Sequence, residues 1–391
     1  MSPKRSRNEA GGGQGGGDGG ASRDTAPRAR KRRSEKPRKG GKVLADTEQM
    51  FGFDRLAADP TVGHVPVLVG EILTLLRPQP GQTCVDLTVG RGGHALAFAS
   101  AVGREGTVIG VDLDEENLRF AESRVAAAGS CRFVGVHGPF SDAPRRIAEL
   151  GLRADVVLGD LGFASTQIDD PQRGLSFSSD GPLDMRFDRS SGQTAADLLA
   201  VLPERELLEM LRHLGEEPLA PKIARQIVRL RDAERSPQTT DELVAIVEEV
   251  YGPRARHSRL HPATRTFMAL RIAVNDELNH IAALLQAIAD QADVPTGDID
   301  TSSTGDPRPA DWLRPDARIG IVSFHSLEDR LVKHAFASFE RKEIGTRITT
   351  KPVIASDAEV AANPRSRSAK LRTFQIGATR RNRREKRRLD E

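Results

Sequence analysis

The stretch Thr83–His94, TCVDLTVGRGGH, decides how this chain is read. Cys84, Val85, Leu87 and Val89, set around Asp86, make an apolar run that gives way to a Gly-Arg-Gly-Gly turn and then to small residues from His94 to Ala101. The pattern predicts strand, tight turn and helix. Glycines in such a turn permit backbone angles closed to other residues, and they let a ligand lie against the main chain at the N-terminus of the following helix. A pocket of the nucleotide-binding kind is therefore expected here.

Two cofactor classes suit such a turn. Gly90, Gly92 and Ala95 satisfy G-x-G-x-x-G/A, and Asp112 closes the next apolar run, TVIGVD, where a ribose-binding acid belongs. That would serve a dinucleotide. Asp86, four residues before the first glycine, points elsewhere: a pyrophosphate is repelled by a carboxylate near the turn, whereas S-adenosylmethionine has no phosphate and carries a sulfonium and an ammonium. The plainer alternative is that Asp86 only caps the turn.

Working outward, segments 83–88, 107–112, 131–136 and 154–160 read as strands, alternating with helices over 93–102, 115–128 and 141–150. Such alternation predicts a parallel sheet covered on both faces, with ligands at the carboxyl ends of the strands. Those ends carry Asp86, Asp112, the HGPF stretch from His137 to Phe140, and Asp160. After Asp160 the chain becomes rich in Gly, Ser, Asp and Pro, and four helical patterns follow at 194–202, 203–214, 218–233 and 239–251. An inserted all-helical subdomain is expected, either a substrate cap or a packing appendage. Beyond HPATRTF, residues 264–291 read as one long helix and 292–310 as a polar loop. Strands are expected at 318–324, 347–354 and 370–376, with Ser326 opening a helix and Asp329 in its capping-box position. His325 falls at a strand end, where an imidazole either meets substrate or is a buried, hydrogen-bonded side chain.

The chain of 391 residues has room for more than one unit. Its division is expected as a basic extension over 1–60 without fixed structure, a first core part over 61–165, the helical insertion over 166–262, a second core part over 263–377 and a basic tail over 378–391. The two cysteines, Cys84 and Cys131, read as small buried hydrophobes, and neither they nor the histidines show ligand spacing, so no metal is expected. No run long and apolar enough to span a bilayer and no apolar signal region occurs, which predicts a soluble cytoplasmic protein. The net charge of +3 conceals an asymmetry: residues 1–42 hold 13 Lys or Arg against 4 acids, and residues 365–391 hold 11 against 3. Basic ends on an acidic middle suggest RNA as partner, the bland alternative being solubilising tails.

The strings VGRGGH, HGPFSD, DLGFAS with QIDD, RGLSF, DGPLDMR, HPATRTF, VSFHSLEDR and NPRSRSAKLR, in this order and spacing, resemble the bacterial ribosomal RNA small subunit methyltransferase H family, also called MraW. The resemblance covers about 64–377. It implies a Rossmann-like class I S-adenosylmethionine-dependent methyltransferase sheet, and an enzyme methylating the N4 exocyclic amine of one cytidine in the decoding region of 16S ribosomal RNA. The partner implied is that RNA or the small ribosomal subunit. The family's cofactor contacts fall on Gly92, Gly93, His94, Asp112, Phe140, Asp160 and Gln167. The chain departs from the family with DLGFASTQ for the usual DLGVSSPQ, and with RPDAR for a Pro-Gly-Gly turn.

The chemistry then narrows the candidates. A cytosine amine is a poor nucleophile, so it must be held in line with the methyl and relieved of a proton. Asp160 is the first candidate for that contact and His325 the second. A base taken out of its stack would find Phe163, Phe177 or Tyr251 as stacking partners. Two rival readings remain: a nicotinamide-dependent oxidoreductase sharing the glycine turn, and a noncatalytic RNA-binding assembly protein.

Overall fold

Alternate residues of each inner strand feed opposite faces of one sheet. Cys84, Val108, Val156 and Leu158 enter one apolar cluster, while Val85, Ile109 and Val157 enter another. Burial on both sides is the signature of a covered parallel sheet. The computed structural model describes residues 66–129, 131–162, 168, 170–257, 260–291 and 311–377. The N-terminal extension, the basic tail over 378–391, the 292–310 loop, Phe163 and Gln167 lie outside them.

The first half is built of α1 (Val69–Leu76), β1 (Thr83–Asp86), α2 (Gly93–Val102), β2 (Thr107–Asp112), α3 (Glu115–Ala127), β3 (Arg132–His137), α4 (Ala143–Glu149) and β4 (Ala154–Asp160). The helical region follows with α5 (Ala195–Val201), α6 (Glu204–Gly215), α7 (Ala220–Asp232), α8 (Thr240–Tyr251) and α9 (Thr264–Val274). The chain returns to the sheet with α10 (Glu277–Asp290), β5 (Leu313–Ser323), α11 (Ser326–Arg341), β6 (Gly345–Arg347), β7 (Val353–Ile354), α12 (Asp357–Ala362) and β8 (Lys370–Ile376). The sheet order is β3-β2-β1-β4-β5-β8-β6, with β7 also on β8. The pairs from β3 to β5 are parallel, and β8 runs antiparallel to β5, β6 and β7. The order reverses between β1 and β4, the switch point at which open α/β sheets bind ligands. This is the Rossmann-like sheet with helical insertion expected from the sequence.

The insertion has its own core, in which Leu183, Leu199, Leu211, Ile227, Val247 and Leu270 are buried together. Side-chain caps fix its helix starts: Thr194 with Asp197 and Thr239 with Glu242 form reciprocal capping boxes.

Three expectations fail in the second half. The single helix over 264–291 is two helices, broken at Asn275 and at Asp276, whose φ is +50°. The break has a distant cause: the Asn275 amide donates to the Met185 carbonyl at 2.8 Å, and its Oδ1 accepts from the Phe187 N–H at 2.8 Å. As a result α9 buries Phe267, Ala269 and Leu270 in the helical core, whereas α10 packs Ile281, Leu284 and Ile288 on the sheet. The second failure concerns α11. Its cap is His325 with Glu328, not Ser326 with Asp329; Asp329 instead takes a bidentate ion pair from Arg372 at 2.7 and 3.2 Å. The strand expected over 347–354 is likewise two short ones, β6 and β7.

Candidate active site

The heads of β1, β2, β4 and β5 open into a cavity of about 510 Å³. Among its lining residues are Gly93, His94, Asp112, Phe140, Asp160 and His325, so six of the sequence candidates meet there. Gly92 does not line it. Its φ of +75° needs glycine, and a Cβ there would lie 3.0 Å from that of Ala121, so this glycine lets α2 pack on α3. A Cβ on Gly93 would similarly meet Pro66 at 3.0 Å.

Asp112 shapes the turn as well as facing the cavity. Its Oδ2 accepts from the Gly90 N–H at 2.8 Å, and its Oδ1 accepts from the Asp114 N–H at 2.9 Å and from Asn117 Nδ2 at 3.3 Å. Burial raises its carboxyl above the ordinary range, and these hydrogen bonds oppose the rise. A carboxylate offers about four lone pairs, so one remains, on Oδ2. Asp112 is thus equipped for one ribose hydroxyl.

Three further groups form a buried acidic floor. Asp86 has no exposed surface, and its Oδ2 has no hydrogen-bond partner. Burial pushes its carboxyl up to about 6, with Asp160 and Asp112 adding to the rise and His94 opposing it. His94 Nε2 lies 2.9 Å from the Val67 carbonyl, which places the ring hydrogen on Nε2 and leaves Nδ1 facing Asp160 Oδ2 at 3.8 Å. Asp160 is held by its N–H, which donates to Thr88 Oγ1 at 2.9 Å, and its Oδ1 is buried without a partner. Burial and the neighbouring Glu328 push its carboxyl up to about 7.

The opposite wall is aromatic and charge-balanced. Phe140 meets the His280 ring edge-on at 5.9 Å, and His280 Nδ1 is 2.8 Å from Ser141 Oγ. Arg271 grips Glu277 through two bonds of 2.8 and 3.0 Å. Glu277, His325 and Glu328 offer ligand atoms within 4.8 Å of one another, a grouping that could hold a metal ion. Arg271 already supplies the positive charge at Glu277, and both Glu328 Oε2 contacts are backbone N–H groups. Of the proposed stacking residues, Phe177 lines the cavity and stacks on His261 at 4.7 Å. Tyr251 does not reach it; its hydroxyl is tied to the buried Glu217 at 2.8 Å within the helical region.

Thr88, Asn117, Arg271, Glu277, His280 and Glu328 escaped sequence reasoning. Thr88, inside TCVDLTVGRGGH, Asn117, on the first turns of the helix after Asp112, and Glu328, inside SLED, sat close enough in sequence to a recognised residue to be found.

The donor set fits a cation. Buried, unpartnered oxygens on Asp86 and Asp160 would repel a pyrophosphate and attract a sulfonium or ammonium. Residues 61–295 and 307–377 match the MraW methylase family. The chain is 43% identical over 310 residues to the ribosomal RNA small subunit methyltransferase H of Sorangium cellulosum, covering 79% of this chain and 89% of that protein. It is 41% identical over 328 residues to the protein of the same name from Geobacter sp. (strain M21), covering 80% of this chain and 98% of the relative.

Proposed function

This chain belongs to the MraW methylase family, and from that premise we propose that the cavity is the active site of an S-adenosylmethionine-dependent methyltransferase acting on N4 of one cytidine of the small-subunit ribosomal RNA. The observation that carries this reading is the anionic floor at the switch point, where Asp86, His94 and Asp160 sit beneath a cavity large enough for a nucleoside and a flipped base. An oxidoreductase would have no use for that floor, and an assembly protein would have no use for the cavity.

When bound, S-adenosylmethionine supplies a methyl group on a positively charged sulfur. The unpartnered oxygens of Asp86 and Asp160 give that charge a counterpart in a medium of low dielectric. Asp112 receives one ribose hydroxyl on its remaining lone pair, and Phe140, braced by His280, offers its ring to the adenine. Asp160 accepts a hydrogen bond from the cytosine amine and takes its proton as N4 gains a bond. Its Oδ1, buried without a hydrogen-bond partner, has the lone pair that this contact needs. Gln167 is proposed as a further cofactor contact from the family resemblance alone.

The test is methyl transfer in vitro. Purified protein, radiolabelled cofactor and small ribosomal subunits lacking the mark are expected to yield N4-methylcytidine after nuclease digestion. Label in any other nucleoside, or none, would refute the assignment.

A further inference from the structure

His325 occupies an unusual position for a histidine, as the N-cap of α11. Its Nδ1 accepts from the Glu328 N–H at 3.4 Å, and Glu328 Oε2 accepts from the His325 N–H at 3.2 Å and the Phe324 N–H at 2.8 Å. A nitrogen that accepts carries a lone pair, so the hydrogen of the neutral ring sits on Nε2. The capping box thus fixes the tautomer as well as the helix start.

Among the described residues that Nε2–H has no hydrogen-bond partner. The side chain is 10% exposed, and Nε2 is buried without a hydrogen-bond partner; Glu328 Oε1 lies 3.2 Å away but outside hydrogen-bond geometry. A buried donor left unpaired costs free energy and implies a missing acceptor. His325 shares its cavity with Asp160, and the two come from adjacent strand heads: Asp160 is in register with Val322, and the Leu161 N–H bonds the Val322 carbonyl at 2.9 Å.

Resting on the methyltransferase reading, we propose that His325 selects the base, its Nε2–H donating to N3 of cytosine while Asp160 accepts from the exocyclic amine. Cytosine presents a donor beside an acceptor along this edge, which matches an Asp–His pair. Uracil and guanine present an acceptor beside an N–H, so acceptor would face acceptor and donor would face donor. Histidine is here a specificity residue and leaves proton acceptance to Asp160.

The experiment is a chemical double-mutant cycle. Small subunits are reconstituted with 16S RNA carrying either cytidine or 3-deazacytidine, which lacks the N3 acceptor, at the target position. Wild-type enzyme is compared with His325→Asn, which keeps an acceptor for the Glu328 N–H and so preserves the cap, but loses the distal donor. A second variant, His325→Gln, keeps a distal donor and loses the cap. Thermal unfolding reports the cap separately from the base contact.

Each single change, His325→Asn in the enzyme or 3-deazacytidine in the RNA, is expected to lower kcat/KM about tenfold, with the combination no worse than either alone. The His325→Gln enzyme should retain the preference for cytidine over 3-deazacytidine despite its lower melting temperature. Losses that multiply in the combined case would overturn the contact. Failure of the wild-type enzyme to methylate cytidine would instead overturn the reading on which it rests.

Discussion

Binding of the cofactor should expel protons, because a cation favours the ionised forms of Asp160, which lines the cavity, and of the fully buried Asp86 at the end of β1. In the free protein Asp160 is pushed up to about 7 and Asp86 to about 6, both chiefly by burial. A sulfonium beside them stabilises the ionised forms and lowers both values. The sign follows: below the free-state values a proton must leave before the charges can pair, so affinity rises with pH and levels off above about 7. If binding keeps Asp160 ionised down to pH 5, affinity should climb about fiftyfold between pH 5 and 7, equivalent to about 2.3 kcal/mol. At pH 6.5 the two groups together would release about one proton per cofactor. Calorimetry in two buffers of different ionisation enthalpy measures that proton directly. S-adenosylhomocysteine, which lacks the sulfonium charge, should show a shallower pH dependence, and Asp160→Asn should lose most of the slope. Affinity that is flat from pH 5 to 7.5, with no buffer dependence of the heat, would refute the reasoning.

Three further outcomes are expected. The same two carboxyls should make the empty protein more stable in mild acid: their raised values favour the protonated folded state, a contribution fully present below the ordinary value of 3.8 and lost as pH rises through 6 and 7, worth at most about 4 kcal/mol for Asp160 and absent in a melting series of Asp160→Asn. Asp112→Ala should weaken cofactor binding about tenfold and also lower the melting temperature, because it strips acceptors from Gly90, Asp114 and Asn117; unchanged stability would contradict the role in the turn. Asn275→Ala should cost about 1–3 kcal/mol in denaturant unfolding by orphaning the Met185 carbonyl and the Phe187 N–H, and a neutral result would sink the explanation of the helix break.

What the sequence disclosed, and what it withheld, divides along sequence distance. β1, β2 and β4 were legible because each is short, apolar and buried on both faces, with Asp86, Asp112 and Asp160 at their heads, and β3, an edge strand with only Val136 buried, by its place in the same repeating βα pattern. The break between α9 and α10 was not, since the residues that hold it, Met185 and Phe187, lie about ninety positions upstream. The valency of Asp112 was equally hidden: its lone pairs are consumed by a turn glycine from the preceding unit and by Asn117. For His325 the structure shows the buried, hydrogen-bonded side chain, as a helix cap, and its ring also lines the cavity, which local sequence could not reveal. Tyr251 was one of three aromatic stacking candidates, but its partner Glu217 could not be inferred from spacing.

The central claim, that this cavity places a methyl group on N4 of one cytidine with Asp160 beside the amine, is tested most directly by mass spectrometry of nucleosides from 16S RNA. Cells lacking the protein would be compared with the same cells carrying the wild-type chain or Asp160→Asn, an isosteric change that keeps the shape and removes the proton acceptor. The account predicts that the N4-methylated cytidine signal falls in the absence of the protein, returns with the wild type, and stays low with the variant even though that variant still folds and binds small subunits. An undiminished signal in cells lacking the protein, or full restoration by Asp160→Asn, would contradict it.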